Sequence, residues 1–229
     1  MSIFISVVIL ILVALIQISM QLTPGIFILF YHYALGKKSR NKADDLSLSF
    51  ILGAETFIAT IWFLVLFTFL PIIPQVFIWV IASLLIIEAT ASLFFYYRKG
   101  PGTALFITRS SAKVLELRAK NIKTRSDAFI LGFFSNLPEL IFTFPLYLLA
   151  SFIMPNISFS LPPAIYIIIY LMLAVMPLFF IHILYRTDHN LSDIERLRIN
   201  LKPVVRLFLF VGFLLLAILT INYGVINNG

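Results

Sequence analysis

The sequence predicts an all-α, polytopic membrane protein of six transmembrane helices. Three observations carry that expectation. Of 229 residues, 61% are hydrophobic and only 12% are charged. Six stretches stay apolar over the roughly 20 residues a helix needs to cross a bilayer core. All 17 Lys and Arg fall in three of the loops between those stretches or at their edges. A soluble domain is about 45–50% apolar and about 25% charged. The excess here, at a mean hydropathy of +1.05, would leave large apolar patches in water, which excludes a water-soluble enzyme. The runs are continuous rather than alternating, which argues against membrane β-strands.

The first span covers 3–35 and is broken by Thr23, Pro24 and Gly25. A cleaved leader over 3–20 is not expected, because no basic segment precedes it and no small-residue cleavage site follows. The second span covers 47–70 and the third 75–97, joined by an uncharged turn from Pro71 to Pro74. The fourth covers 127–154, the fifth 163–185 and the sixth 204–224. The fourth and fifth are joined by an uncharged turn from Pro155 to Pro163, in which Asn156 heads a glycosylation sequon of no diagnostic weight. Pro145 and Pro177 read as simple kinks.

The basic loops are 36–46 (Lys37, Lys38, Arg40, Lys42), 98–126 (Arg98, Lys99, Arg109, Lys113, Arg118, Lys120, Lys123, Arg125) and 186–203 with its edge (Arg186, Arg196, Arg198, Lys202, Arg206). The opposite side carries no basic side chain, so the positive-inside rule puts these loops in the cytoplasm and both termini outside. Residues 111–120 read as a short helix, and Ser192 to Glu195 as a capping box ahead of Arg196. The plain expectation for these basic segments is contact with anionic lipid headgroups.

The chain divides into a first three-helix repeat (1–97), a basic linker (98–126) and a second three-helix repeat (127–229). The first helix of each half starts on opposite sides, so related halves form a 3+3 inverted repeat. Gln21 to Phe27 and Asn136 to Phe142 occupy matching points and share a pattern: amide, Leu, three residues including a proline, then Ile-Phe. Inverted repeats with Pro-broken helices near the midplane are how many secondary transporters build a site. A proline removes one backbone donor and frees a carbonyl, and in lipid the freed groups need protein, water or ligand.

Three acids lie inside spans: Glu55, Glu88 and Glu139. Apart from Arg206 at the edge of the sixth span, no Lys or Arg stands within a span to neutralise them, and a carboxylate at a helix centre costs about 2.5–3.5 kcal/mol. Each must therefore be protonated, hydrated or bound to a cation. At about 1.5 Å per residue, Glu139 lies roughly 18 Å deep, Glu88 roughly 15 Å and Glu55 roughly 12 Å. By depth, Gln21, Glu55, Asn136 and Glu139 can form a midplane cluster. Gln17 shares a helical face with Gln21, and Thr56 with Thr60; hydrogen bonds between helices are the plain expectation for these pairs. His32 and His182 sit near cytoplasmic helix ends, where a cation suits the dipole. The candidate solute- or ion-binding residues are Gln21, Pro24, Gly25, Glu55, Asn136, Pro138 and Glu139, with Glu88 and Gln17 as additions.

No spacing argues for a tight metal centre, and there is no Gly-rich phosphate loop or nucleophile motif. No catalytic residue, resident metal or cofactor is expected. There are no cysteines, so disulfides, thiolate sites and dithiol relays are excluded. The expected partners are membrane lipid, a small solute or ion, and at most a second copy in a homodimer, with no nucleic acid.

In order and spacing along nearly the whole chain, the sequence resembles the lysine exporter (LysE) superfamily of small membrane transporters. The resemblance lies in Thr23-Pro24-Gly25, then Gly36-Lys37-Lys38 and Gly53. It continues with Phe129, Gly132, Asn136 and Pro138 in the fourth span, and with Arg196 through Arg206 into Val211-Gly212. Ile26 stands where the family has a second proline, Leu137 where it has an asparagine, and Glu139 where it often has a lysine. The resemblance implies a secondary transporter in the plasma or inner membrane. It would export a small solute such as an amino acid, coupled to protons or the membrane potential. Branches of the superfamily that carry divalent cations supply an alternative, with Glu55, Glu88 and Glu139 as oxygen ligands. A non-transporting scaffold or assembly factor that uses its basic loops is the third reading.

Overall fold

The computed structural model describes residues 3–20, 23–37, 39–69, 76–94, 109–153, 163–186 and 191–226. Among them there are nine α-helices, one turn of 3-10 helix and no strand. The helices are α1 (Ile3–Met20), α2 (Thr23–Lys37), α3 (Arg40–Phe69), α4 (Val76–Phe94), α5 (Arg109–Lys120), α6 (Arg125–Ser135), α7 (Leu140–Ile153), α8 (Pro163–Arg186) and α9 (Leu191–Ile226). The 3-10 turn, Leu137–Glu139, joins α6 to α7.

Five segments are long and apolar enough to cross a bilayer, and six if α1 and α2, bent by 49° at their junction, make one span. Large apolar side chains stay exposed on their outer faces. On α8 they recur one turn apart, at Ile168, Met172, Met176, Phe180 and Ile183, while Tyr170, Ala174, Leu178, Ile181 and Tyr185 are buried. Such a stripe suits lipid on one side and protein on the other. The chain is a multi-pass membrane protein.

The helices overrun the apolar stretches at their basic ends. The second span begins at Arg40, seven positions before hydropathy would start it, and the last helix begins at Leu191. Charged residues at a bilayer surface still favour a helix, whereas hydropathy reads them as loop. Ser192 lies in the first turn of α9, and its side chain is outside the described residues. The helix expected over 111–120 is α5, which packs on α2 with Leu115 and Ala119 buried. Its Lys120 lies over the Tyr33 ring, 5.4 Å from the centroid. The hydrogen bond to Glu116 raises the Lys120 ammonium above its ordinary value.

Two packings fix the frame. α3 and α6 approach so closely that a Cβ on Gly53 would fall 2.0 Å from the Phe129 carbonyl oxygen, and one on Gly132 2.0 Å from that of Phe50. Only glycine fits at such a crossing, which brings backbones into weak Cα–H contact with carbonyls. Phe57 then packs edge-on against Phe133, centroids 5.2 Å apart. The other extensive packing is α4 on α9. The α6 start is locked by a capping box that hydropathy did not flag: Thr124 Oγ1 accepts from the Asp127 amide at 3.1 Å, and Asp127 Oδ2 from the Thr124 amide at 2.9 Å.

Candidate functional site at the two helix breaks

The first span breaks between Met20 and Thr23, and the fourth between Ser135 and Leu140. Each break follows from a proline. Pro24 stands in the first turn of α2, where its missing N–H is no loss. Pro138 stands in the 3-10 turn, and α6 ends at Asn136, whose backbone remains near-helical at φ −86°, ψ −15°. The Glu139 amide donates to the Asn136 carbonyl at 3.1 Å.

These two breaks touch. The Thr23 amide donates to Glu139 Oε1 at 3.2 Å, and the Thr23 hydroxyl to Asn136 Oδ1 at 2.9 Å. Asn136 Nδ2 donates back to the Gly132 carbonyl at 3.2 Å, so both ends of its amide are engaged. The Ser135 hydroxyl bonds the same carbonyl at 2.7 Å and reaches the Thr23 hydroxyl at 3.4 Å. Thr23 and Ser135 are fully buried, Asn136 is 5% exposed and Glu139 6%. Glu139, expected to lack any neutralising partner, thus meets the amide-rich N-terminus of α2, the positive end of that helix. Pro24, Gly25 and Pro138 are half-buried around it.

The remaining acids stand apart from this contact. Glu55 is half-buried on α3, and Glu88 is 9% exposed on α4. Neither has a hydrogen bond or ion pair among the described residues. Gln21 lies outside the described residues. Among the described residues no group of three or more His, Cys, Asp or Glu could hold a metal ion. Thr56 and Thr60, expected to bond a neighbouring helix, spend their hydroxyls on their own, on the carbonyls of Leu52 and Thr56 at 2.7 Å.

No protein-family model, curated protein or solved structure matches this chain. The chemistry of the site stands on its own geometry. It offers one carboxyl, one amide, two hydroxyls and a helix N-terminus, held in apolar surroundings between two broken spans.

Polar bridges flank the junction on both sides. Toward the basic ends, Tyr31 on α2 hydrogen-bonds Asp44 on α3, and Arg40 donates to the Arg186 carbonyl. Ser47 Oγ lies 2.8 Å from His182 Nδ1, and the Tyr31 and Tyr185 rings stack at 4.5 Å. His182 is buried near the basic end of α8, whereas His32 is exposed. Toward the uncharged ends, Gln17 bonds Tyr147 and Tyr170. The reading of the sequence did not single out Thr23 alone, Ser135, Tyr147, Tyr170 or Tyr31. A tyrosine hydroxyl in mid-span was the available signal, because it must find a partner in hydrocarbon.

Proposed function

We propose that the chain is a secondary transporter of a small solute, acting as an exporter and coupled to protons or the membrane potential, in the plasma or inner membrane. The observation that carries this reading is the contact of Thr23 with both Asn136 and Glu139, which unites the two helix breaks at one buried point. A broken-helix pair supplies free backbone groups for a solute, and Glu139 is a carboxyl beside them that can take up and release a proton.

The reading includes a 3+3 inverted repeat with both termini outside. The packing supports it: α3 lies against α8, α4 against α9, and the first broken span against the fourth, each helix on its counterpart. The likeness to the lysine exporter superfamily points the same way and suggests an amino acid as the solute.

A non-transporting scaffold is the second reading, and one observation favours it. Glu139 is buried, and its carboxyl accepts from the Thr23 amide at 3.2 Å. Divalent-cation transport draws less support, because the acids do not gather. Proteoliposomes carrying a proton gradient and a panel of labelled amino acids separate these readings. Gradient-driven flux in wild type that is lost in Glu139→Gln is the expected result. Absence of flux for every solute, with folded protein, would leave the scaffold.

A further inference from the structure

Between the junction and the uncharged ends, a single amide ties three helices together. Gln17 on α1 donates from Nε2 to the Tyr147 hydroxyl on α7 at 2.7 Å, and its Oε1 accepts from the Tyr170 hydroxyl on α8. Gln17 and Tyr147 are 1% exposed and Tyr170 3%. Thr143 stands on α7 one turn from both Glu139 and Tyr147, and its hydroxyl donates to the Glu139 carbonyl at 3.1 Å. The bridge therefore stands between Glu139 and the uncharged side.

The Tyr170 ring also approaches the indole of Trp62 on α3, centroids 6.3 Å apart. Trp62 is 1% exposed, and its Nε1 is buried with no acceptor among the described residues. A buried indole N–H without a partner is penalised in a low-dielectric interior. The closed bridge thus satisfies Gln17 and both tyrosines while leaving Trp62 unserved. Parting α1 from α7 and α8 would admit water, hydrate those groups and give Trp62 its acceptor. Two arrangements that each serve a different set of polar groups make an element able to switch.

The geometry points to the Gln17–Tyr147–Tyr170 bridge as a gate that closes the Glu139 junction to the uncharged side, with Trp62 biasing it toward opening. This inference rests on the transport reading for its purpose, but its test reads accessibility alone.

The chain has no cysteine, so Thr143→Cys introduces a lone thiol beneath the gate. Membrane vesicles exposing the uncharged side are treated with the impermeant reagent methanethiosulfonate ethyltrimethylammonium. Adding Gln17→Ala, which removes both bonds of the bridge, is expected to speed labelling roughly thirtyfold, about fivefold for each buried hydrogen bond lost from an opening equilibrium. Ser47→Ala, on the basic side, is expected to leave the rate unchanged. Tyr170→Phe keeps the ring, removes one donor and is expected to give a smaller acceleration. With Trp79→Phe, Trp62 becomes the single indole, and its emission is expected to shift to the red in Gln17→Ala.

Unaltered labelling and unshifted emission in Gln17→Ala would overturn the gate. If Gln17→Ala does not run as a monodisperse protein, Tyr170→Phe decides by the same two readouts. Faster labelling in a protein that moves no solute keeps the gate and removes the transport reading. Solute flux with unaltered labelling and emission removes the gate alone.

Discussion

Thr23 and Glu139 meet across the two broken spans: the first amide of α2 donates to the Glu139 carboxyl at 3.2 Å. A helix N-terminus attracts negative charge through its unsatisfied N–H groups. Here the protein's own side chain occupies that place. No Lys or Arg is needed to hold an acid at this depth, because a backbone dipole does part of that work.

The two roles of Glu139 can be separated by substitution. Gln keeps an oxygen that accepts from the Thr23 amide, so Glu139→Gln should unfold within about 1 kcal/mol of wild type. Gln cannot exchange a proton, so coupled flux should vanish. Leu removes the acceptor and strands a buried N–H, so Glu139→Leu should cost about 1–3 kcal/mol. Denaturation in detergent beside proteoliposome flux checks both halves. Equal stability of the Gln and Leu variants would mean that the Thr23 contact contributes nothing.

Glycine substitutions should rank by what each new methyl meets. At Gly53 and Gly132 a Cβ would strike a carbonyl oxygen of the facing helix at 2.0 Å. Backbone cannot swing aside, so Gly53→Ala and Gly132→Ala should each cost about 3 kcal/mol or more. At Gly212 the Cβ would meet Ile16 Cδ1 at 2.8 Å and Cγ1 at 3.0 Å; side-chain atoms yield where backbone cannot, and the cost should be smaller, about 1–3 kcal/mol. Gly36 has nothing within 4 Å, and Gly36→Ala should gain up to about 1 kcal/mol from helix propensity. Melting temperatures of the four purified variants test the order.

The apolar helices, five spans or six if α1 and α2 make one, and the interruptions beside Pro24 and Pro138 were legible in the sequence because hydropathy and proline chemistry act locally. Pro24 and Pro138 mark their own helix ends wherever the rest of the chain lies. Rotation about a helix axis is another matter. Depth allowed Glu55 to join Asn136 and Glu139, yet Glu55 is only half-buried on α3, while Thr23 takes the contact. Bonding to other helices was expected for Gln17 and is found, but spacing could not say that its partners stand on α7 and α8, more than 100 positions away. The Ser192–Glu195 pattern put a helix start beside Leu191, where α9 begins. Its unbroken run into the last span was not legible, because hydropathy reads the charged turns between them as loop.

At the basic end of α6, the cap should matter more than the ion pair. Arg125 and Asp45 approach to 2.5 Å, but their side chains are 73% and 51% exposed. Exposed pairs contribute about 0.2–1 kcal/mol and weaken with salt, so Arg125→Ala should be nearly silent in high salt. Thr124 accepts from the Asp127 amide and anchors the capping box, and Thr124→Ala should cost about 1 kcal/mol whatever the salt. Unfolding of both variants at low and high ionic strength distinguishes them. A salt-dependent loss in Thr124→Ala would contradict this assignment.

Glu88 supplies the sharpest separation of stability from function. It is 9% exposed on α4, the helix that packs along α9, and has no hydrogen bond or counter-charge among the described residues. Its neighbour one turn on, Ser92, already spends its hydroxyl on the Ala89 carbonyl at 2.7 Å. Burying a polar group without a partner costs about 1–3 kcal/mol by mutational measures. A leucine of similar reach fills the same space at no such cost. Glu88→Leu should therefore stabilise the protein by about 1–3 kcal/mol, which is unusual for a core substitution. A group kept at that disadvantage is expected to serve the activity, so flux should fall in the stabilised variant. Stabilisation with full flux would make Glu88 a passive burden. A loss of stability would reveal a partner for its carboxyl in the folded protein.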